Sequence, residues 1–383
     1  MKYDFDQVIE RRNTDSMKWR KYPADVIPMW VADMDFVAPE PVIRALHERL
    51  DHGILGYTLP PDELRSVIRE RLKRLYNWES QDEEIVFVPG MVTGLNVAFQ
   101  AYAEPGDGVL VQPPVYFHFV NDPVLHGRVL NDPPLVPKGD TYEIDFEVFE
   151  RSITDRTRLF ILCNPHNPVG RVYTVTELER LAEICLRHHL IICSDEIHCD
   201  LLYPGYHHVP IATLAPEVAD HTVTLMAGSK TFNLAGLSCG FAIMPDQKLR
   251  GIWETFSLGL IPRVSIMGHA GTLAALQDGQ EWLDQVLSYL KTNRDYLVRY
   301  VGEKLPGIYM TRMEATYLAW LDCRNSGIQG NPFQFFLKEA KVALNNGKEF
   351  GKGGEGFVRL NFACPRRTLT EALEQMRGAL QRL

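Results

Sequence analysis

Nothing in this chain of 383 residues approaches the ~18 consecutive apolar residues of a membrane-spanning helix, and the opening MKYDFDQVIERRNTDS is charged throughout, without an apolar leader core. A cytoplasmic protein with no membrane partner is expected. Paired-cysteine spacing is missing too. The seven cysteines (Cys163, Cys185, Cys193, Cys199, Cys239, Cys323 and Cys364) are odd in number, scattered and mostly set in apolar runs, as buried reduced thiols are. Disulfides are not expected. Nor is a metal, because the most ligand-like cluster, Cys193, His198 and Cys199, lacks CxxC or HxxxH spacing. No run of five like charges occurs, and 40 basic residues face 49 acidic ones for a net charge of −9, which disfavours nucleic acid as a partner. Repeats with a period of about 20–50 residues and low-complexity tracts are absent, which sets aside solenoids and disordered tails.

What is present is the composition of a folded protein, 45% hydrophobic and 23% charged. The length exceeds the roughly 250–300 residues at which one core stops growing, so two units are expected. Short, nearly continuous apolar runs recur between about residues 85 and 245: Ile85-Val86-Phe87-Val88, Val109-Leu110-Val111, Leu159-Phe160-Ile161-Leu162, Leu190-Ile191-Ile192-Cys193, Thr222-Val223-Thr224-Leu225 and Phe241-Ala242-Ile243. Such runs suit strands buried on both faces. Helical patterns lie between them, including a capping box at Thr176 and Glu179, so a mostly parallel sheet flanked by helices is expected. Leu64, Val67, Ile68, Leu72 and Leu75 form one face of a helix that would cover it. Beyond about residue 280 a long helix, shorter strands near Tyr317-Trp320 and Val358-Phe362, and a helix opening at Thr368 with Glu371 read as a smaller α+β domain. The first ~45 residues have no sheet-like run and would pack on that domain or line the cleft. The expected division is a large domain over 46–281 and a small domain built from 1–45 and 282–383.

In open α/β sheets ligands bind where loops leave the carboxyl ends of the strands. After the first run, Pro89-Gly90-Met91-Val92-Thr93-Gly94 leads into a helix, either a plain turn or a backbone cradle for an anion. Gln112-Pro113-Pro114-Val115-Tyr116 follows the second, a stiff loop ending in an aromatic ring. Cys163-Asn164-Pro165-His166-Asn167-Pro168-Val169-Gly170 follows the third, and its two asparagines, held before prolines, are candidate donors if the motif is more than a structural turn. Asp195, in Ser194-Asp195-Glu196-Ile197-His198, ends a strongly apolar strand, where a carboxylate needs a cationic or donor partner unless it merely caps a helix. Lys230, in Ala227-Gly228-Ser229-Lys230-Thr231-Phe232, is the only lysine between Lys138 and Lys248, and desolvation at the sheet edge would make it a nucleophilic amine. An amine, a buried carboxylate, an amide donor, an aromatic plate and an anion-binding helix start are together the parts that hold pyridoxal 5′-phosphate. By contrast, Gly351-Lys352-Gly353-Gly354-Glu355-Gly356 fits a dinucleotide-loop spelling but precedes a strand, and His188-His189 and His207-His208 read as solvated or helix-end residues.

With these motifs the sequence resembles the fold-type I pyridoxal phosphate enzymes, and within them the cystathionine β-lyase/C–S lyase branch (MalY/PatB-like). The resemblance runs through Pro28-Met29-Trp30-Val31-Ala32-Asp33-Met34-Asp35-Phe36, Gly56-Tyr57-Thr58, the Asn164-to-Gly170 loop, Ser194 to His198, Ser229-Lys230-Thr231-Phe232-Asn233-Leu234-Ala235-Gly236 and Val358-Arg359-Leu360-Asn361-Phe362-Ala363. It implies an aspartate aminotransferase-like fold: a large domain with a mostly parallel seven-stranded sheet, plus the smaller α+β domain. It implies Lys230 as the Schiff-base lysine, Asp195 as partner of the pyridinium nitrogen, Asn167 as donor to the ring oxygen and Tyr116 as the stacking ring. Met91, Val92 and Ser229 would contact the phosphate, with Tyr57 reaching it from the other subunit of a homodimer, and His198 would flank the cofactor. Arg359 would clamp the substrate α-carboxylate, with Ala32, Asn167 and Tyr116 beside it. The implied reaction is β-elimination from cystathionine, cysteine or a related S-substituted cysteine to a thiol, pyruvate and ammonia. An aminotransferase on the same scaffold and a regulatory protein-binding role are the alternatives. One departure stands out: Ser238 occupies the position where many aminotransferases place a phosphate-binding arginine.

Overall fold

The computed structural model describes residues 2–383. Two long helices precede the main sheet, α1 (Glu40–Asp51) and α2 (Asp62–Tyr76), each entered behind a proline that cannot continue a helix backwards. α2 buries Leu64, Ile68 and Leu72 against Ile85, Phe241 and Ile243, and ends where Asn77 turns left-handed at φ 52°. The sheet strands and the two longest helices between them are β1 (Ile85–Val88), α3 (Met91–Tyr102), β2 (Gly108–Leu110), β3 (Val129–Asn131), β4 (Thr157–Cys163), α4 (Val175–Arg187), β5 (Ile191–Asp195), β6 (Thr222–Met226) and β7 (Gly240–Ile243). Spatially the order is β1-β7-β6-β5-β4-β2-β3, parallel except for β7, which runs antiparallel to both neighbours. This is the mostly parallel seven-stranded sheet the sequence led us to expect. β6 and β7 are buried at every position, the physical reason for their unbroken apolar runs.

α4 begins two residues before its expected start. Its capping box is formed by Thr174 and Glu177, not by Thr176 and Glu179. Both pairs spell the motif, but Glu177 also takes the buried guanidinium of Arg171 at 2.6 Å, which fixes the earlier start.

Towards the C-terminus follow α5 (Ile266–Asp278), α6 (Gln280–Lys304), β8 (Tyr309–Met310), β9 (Leu318–Asp322), β10 (Asn345–Asn346), β11 (Phe357–Asn361) and α7 (Arg366–Leu380), among shorter elements. β8-β9-β11-β10 form a separate antiparallel sheet. α7 opens at Arg366 behind Pro365, not at Thr368, and the Arg366 N–H is satisfied by the Tyr289 hydroxyl at 2.7 Å. The N-terminal segment sends Phe5, Met29, Met34 and Phe36 into the core that contains Trp282, Leu318, Leu360 and Leu369, and Ile27–Pro28 pairs in parallel with Val342–Ala343. Among the described residues no helix is long and apolar enough to cross a membrane, no group of His, Cys, Asp or Glu is placed to hold a metal, and all seven cysteines are buried and unpaired.

Candidate active site

The carboxyl ends of β4, β5 and β6 lie level, with Cys163 opposite Asp195 and Asp195 opposite Leu225. A cavity of about 960 Å³ opens above them, and Asp195, Lys230, Arg359, Asn167, Tyr116, His198, Ser229, Met91, Val92 and Ala32 all line it. Its floor at β1 is the turn into α3. There Gly90 takes φ 104°, a conformation that only glycine adopts freely, and the first N–H groups of a 12-residue helix face the cavity without a side-chain cap. Ser229 and the left-handed Ser238 line the same cavity.

Lys230 sits in the short helical turn Gly228–Thr231 that follows β6, and its Nζ donates to the carbonyl of Ala32 at 2.7 Å. Burial pulls its pKa down to about 8; Arg359 acts in the same sense, while Asp33 and Asp195 oppose them. Asp195 is pushed the other way, up to about 7, again chiefly by burial, with the neighbouring Glu196 adding to it and the Ile197 N–H at 3.1 Å opposing. Burial lowers His198 to about 3, so its imidazole is neutral, and its Nδ1 has no hydrogen-bond partner. The Tyr116 hydroxyl rises to about 12, its ring lying beside Phe117 and His118.

Arg359 enters from β11 of the second sheet, buried and pulled down to about 10 by desolvation. Its Nη1 donates to Asn167 Oδ1 at 2.9 Å, and its Nη2 donates to Asn345 Oδ1 at 2.6 Å and to the Trp30 carbonyl at 3.1 Å. None of these partners carries a negative charge. The guanidinium is thus oriented by neutral acceptors and left without a counter-ion, as a carboxylate receptor requires.

Tyr57 does not reach this cavity within its own chain: its side chain is wholly exposed, at 108%. His208 corrects the expectation of a solvated histidine. It is buried, its Nε2 2.7 Å from Glu196, whose other oxygen accepts from Ser194. Asn164 is an acceptor rather than a donor, holding the Tyr173 N–H at 3.2 Å.

Sequence reasoning passed over Asn345 and Tyr317. Asn345 is paired with Arg359 across strands that lie 14 residues apart, and the Tyr317 hydroxyl donates to the same Ala32 carbonyl at 3.1 Å. It also passed over the pair beneath Ala32, where fully buried Lys18 meets Asp35 at 2.7 Å and Arg11 meets Asp33 at 2.8 Å. No local signal in the sequence marks them.

These residues fit pyridoxal 5′-phosphate on three observations. A buried amine with a lowered pKa stands in the same cavity as a buried carboxyl group that makes no ion pair among the described residues. An uncapped helix start with two serines offers donors to a phosphate. An unpartnered His198 nitrogen and the Tyr116 ring remain for a planar heterocycle.

The comparisons with known proteins agree. The family model described as aminotransferase class I and II matches residues 24–376. Cystathionine β-lyase PatB of Bacillus subtilis (strain 168) is 42% identical, over 98% of this chain and 100% of that one. The crystal structure of cystalysin from Treponema denticola, which contains a pyridoxal 5′-phosphate cofactor, matches with a TM-score of 0.95 at 32% identity, covering 100% of both chains. The PLP-bound C–S lyase from Staphylococcus hominis matches with a TM-score of 0.93 at 34% identity, covering 99% of this chain and 98% of that one.

Proposed function

The chain belongs to the class I and II aminotransferase family, and from that premise we propose that it is a pyridoxal 5′-phosphate-dependent carbon–sulfur β-lyase acting on cystathionine, cysteine or a related S-substituted cysteine. The observation that carries the reading is the Lys230 amine, lowered to about 8, in one cavity with Asp195 and a guanidinium that has no counter-ion. When bound, the cofactor supplies a ring that accepts the electron pair left on the substrate Cα once its proton departs.

The chain's own residues do the rest. With the cofactor bound, Asp195 would hold a proton at the ring nitrogen, Asn167 would donate to the ring oxygen, and Tyr116 and His198 would flank the ring. Met91, Val92 and Ser229 would bind the phosphate, helped by Tyr57 of a second subunit, in place of an arginine at Ser238. Arg359 grips the α-carboxylate, the Ala32 carbonyl steers the Lys230 amine, and that amine takes the Cα proton. The C–S bond then breaks, the thiolate leaves with the bonding pair, and hydrolysis of the remaining three-carbon unit gives pyruvate and ammonia.

The same reading makes 46–281 the cofactor domain and 1–45 with 282–383 the small domain, in a cytoplasmic homodimer. Incubating the holoenzyme with cystathionine and no 2-oxo acid should release pyruvate and a thiol, and Lys230→Ala should abolish both. Turnover that demands a 2-oxo acid, without pyruvate or thiol, would make the protein an aminotransferase instead.

A further inference from the structure

At about 960 Å³ the cavity lies at the upper end of the range for small-ligand sites, and Asp15, Ser16, Met17, Arg20 and Lys21 line part of it. That segment is not a loose tail. Lys18, fully buried, is locked to Asp35, and Trp19 Nε1 donates to the same carboxylate at 2.8 Å. Trp30 Nε1 donates to the Lys18 carbonyl at 3.2 Å. Trp30 therefore joins two places: its own carbonyl receives Arg359 Nη2 at 3.1 Å, and its indole face carries Lys21, whose Nζ lies 4.2 Å from the ring centroid.

The lysines and arginines of the cavity can then be matched to partners. Lys230 serves the cofactor, Arg359 the α-carboxylate, and Arg20 is paired with Asp15 at 2.8 Å. Lys21 has no acidic partner within ion-pair distance among the described residues; it rests on Trp30, with the Tyr22 ring at 5.6 Å. A second cation without an ion-pair partner thus lines the same cavity as Arg359 and is linked to it through Trp30, whose carbonyl takes Arg359 and whose ring carries Lys21.

Resting on the lyase reading of this site, we propose that Lys21, seated on Trp30, receives a carboxylate at the far end of the S-substituent. The preferred substrates are then cysteine thioethers whose leaving group is itself acidic, cystathionine among them, over those with a neutral alkyl group.

A matched pair of substrates isolates the effect: S-(2-carboxyethyl)-L-cysteine and S-propyl-L-cysteine have similar length and differ in the terminal charge. With the holoenzyme, two ratios are measured for this pair, one of kcat/KM for thiol release and one of Kd from the change in cofactor absorbance on mixing. The wild type should favour the acidic member by about tenfold, as one charge-assisted hydrogen bond provides. Lys21→Ala should remove that preference, Lys21→Glu reverse it, and Lys21→Arg keep it. Ratios that stay the same in Lys21→Ala and Lys21→Glu would overturn the proposal. A Kd preference that depends on Lys21 without thiol release from either compound would uphold the subsite and sink the lyase reading.

Discussion

Lys230 and Asp195 are driven in opposite directions by the same cause. Burial in a cavity wall favours the neutral form of each, bringing the amine down to about 8 and the carboxyl up to about 7. For Lys230 the folded value lies below the unfolded one, so its contribution to stability is full above about 10.5 and is lost as pH falls through about 8. For Asp195 the folded value lies above the unfolded one, so its contribution is full below about 3.8 and is lost as pH rises through about 7. At neutral pH the cofactor-free protein therefore strains against two buried charges that the cofactor would relieve. Since only the neutral amine is nucleophilic, capture of pyridoxal 5′-phosphate by cofactor-free protein should quicken as pH rises through about 8. Visible absorbance follows the capture, and a rate flat across that range would mean that Lys230 holds no proton to lose. Arg359 offers a second test at this scale. Lysine in its place keeps one charge but loses the planar fork oriented by Asn167, Asn345 and Trp30, so Arg359→Lys should raise KM for cystathionine by about 10- to 100-fold, the value of hydrogen bonds between charged groups, with a smaller change in kcat. An unaltered KM would place the α-carboxylate elsewhere.

Elements distant from the cavity hold the lysine turn in place. Arg71, on α2, pairs with Asp200, and the second carboxylate oxygen of Asp200 accepts from Thr231 Oγ1 at 2.9 Å, next to Lys230 in the chain. Asp200→Ala would leave Arg71 nearly buried without a counter-charge, so a loss of about 3 kcal/mol is expected, read as a lower denaturant midpoint with an unchanged slope. A midpoint within error of the wild type would show that water replaces the carboxylate. This clamp also marks what the sequence could and could not convey. The strands were legible because burial on both faces writes itself as uninterrupted Val, Ile and Leu, and the ends of those strands pointed to Asp195, Lys230 and Asn167. The start of α4 was misplaced by two residues because the capping motif is spelled twice and a long-range ion pair decides between the copies. Polar pairs such as Glu196 with His208, or Lys18 with Asp35, leave no periodic trace. Their partners are chosen by packing, and periodicity records only which side of an element is buried.

For the molecule as a whole, the question is what covers residues 54–59. Ile54, Leu55 and Leu59 are 67%, 58% and 70% exposed, and Tyr57 between them is wholly exposed. A row of apolar side chains this open marks a surface suited to an interaction, and closed two-fold pairing is the commonest assembly of soluble chains. The proposed homodimer would cover that surface and add the Tyr57 hydroxyl to those of Ser229 and Ser238 at the phosphate end of the cavity. Assembly and cofactor affinity should then fall together. Sedimentation of the wild type should give a particle of about twice 43.7 kDa, and the double substitution Leu55→Asp, Leu59→Asp should give monomers. Those monomers should hold pyridoxal 5′-phosphate more weakly by about tenfold, the value of one lost hydrogen bond to a charged group. Tyr57→Phe should weaken cofactor binding to a similar degree while the protein stays dimeric, which separates the hydroxyl from the interface that delivers it. If the Asp variant is monomeric yet keeps wild-type cofactor affinity, Tyr57 plays no part in the site, and the phosphate is held by the start of α3 and Ser229 alone.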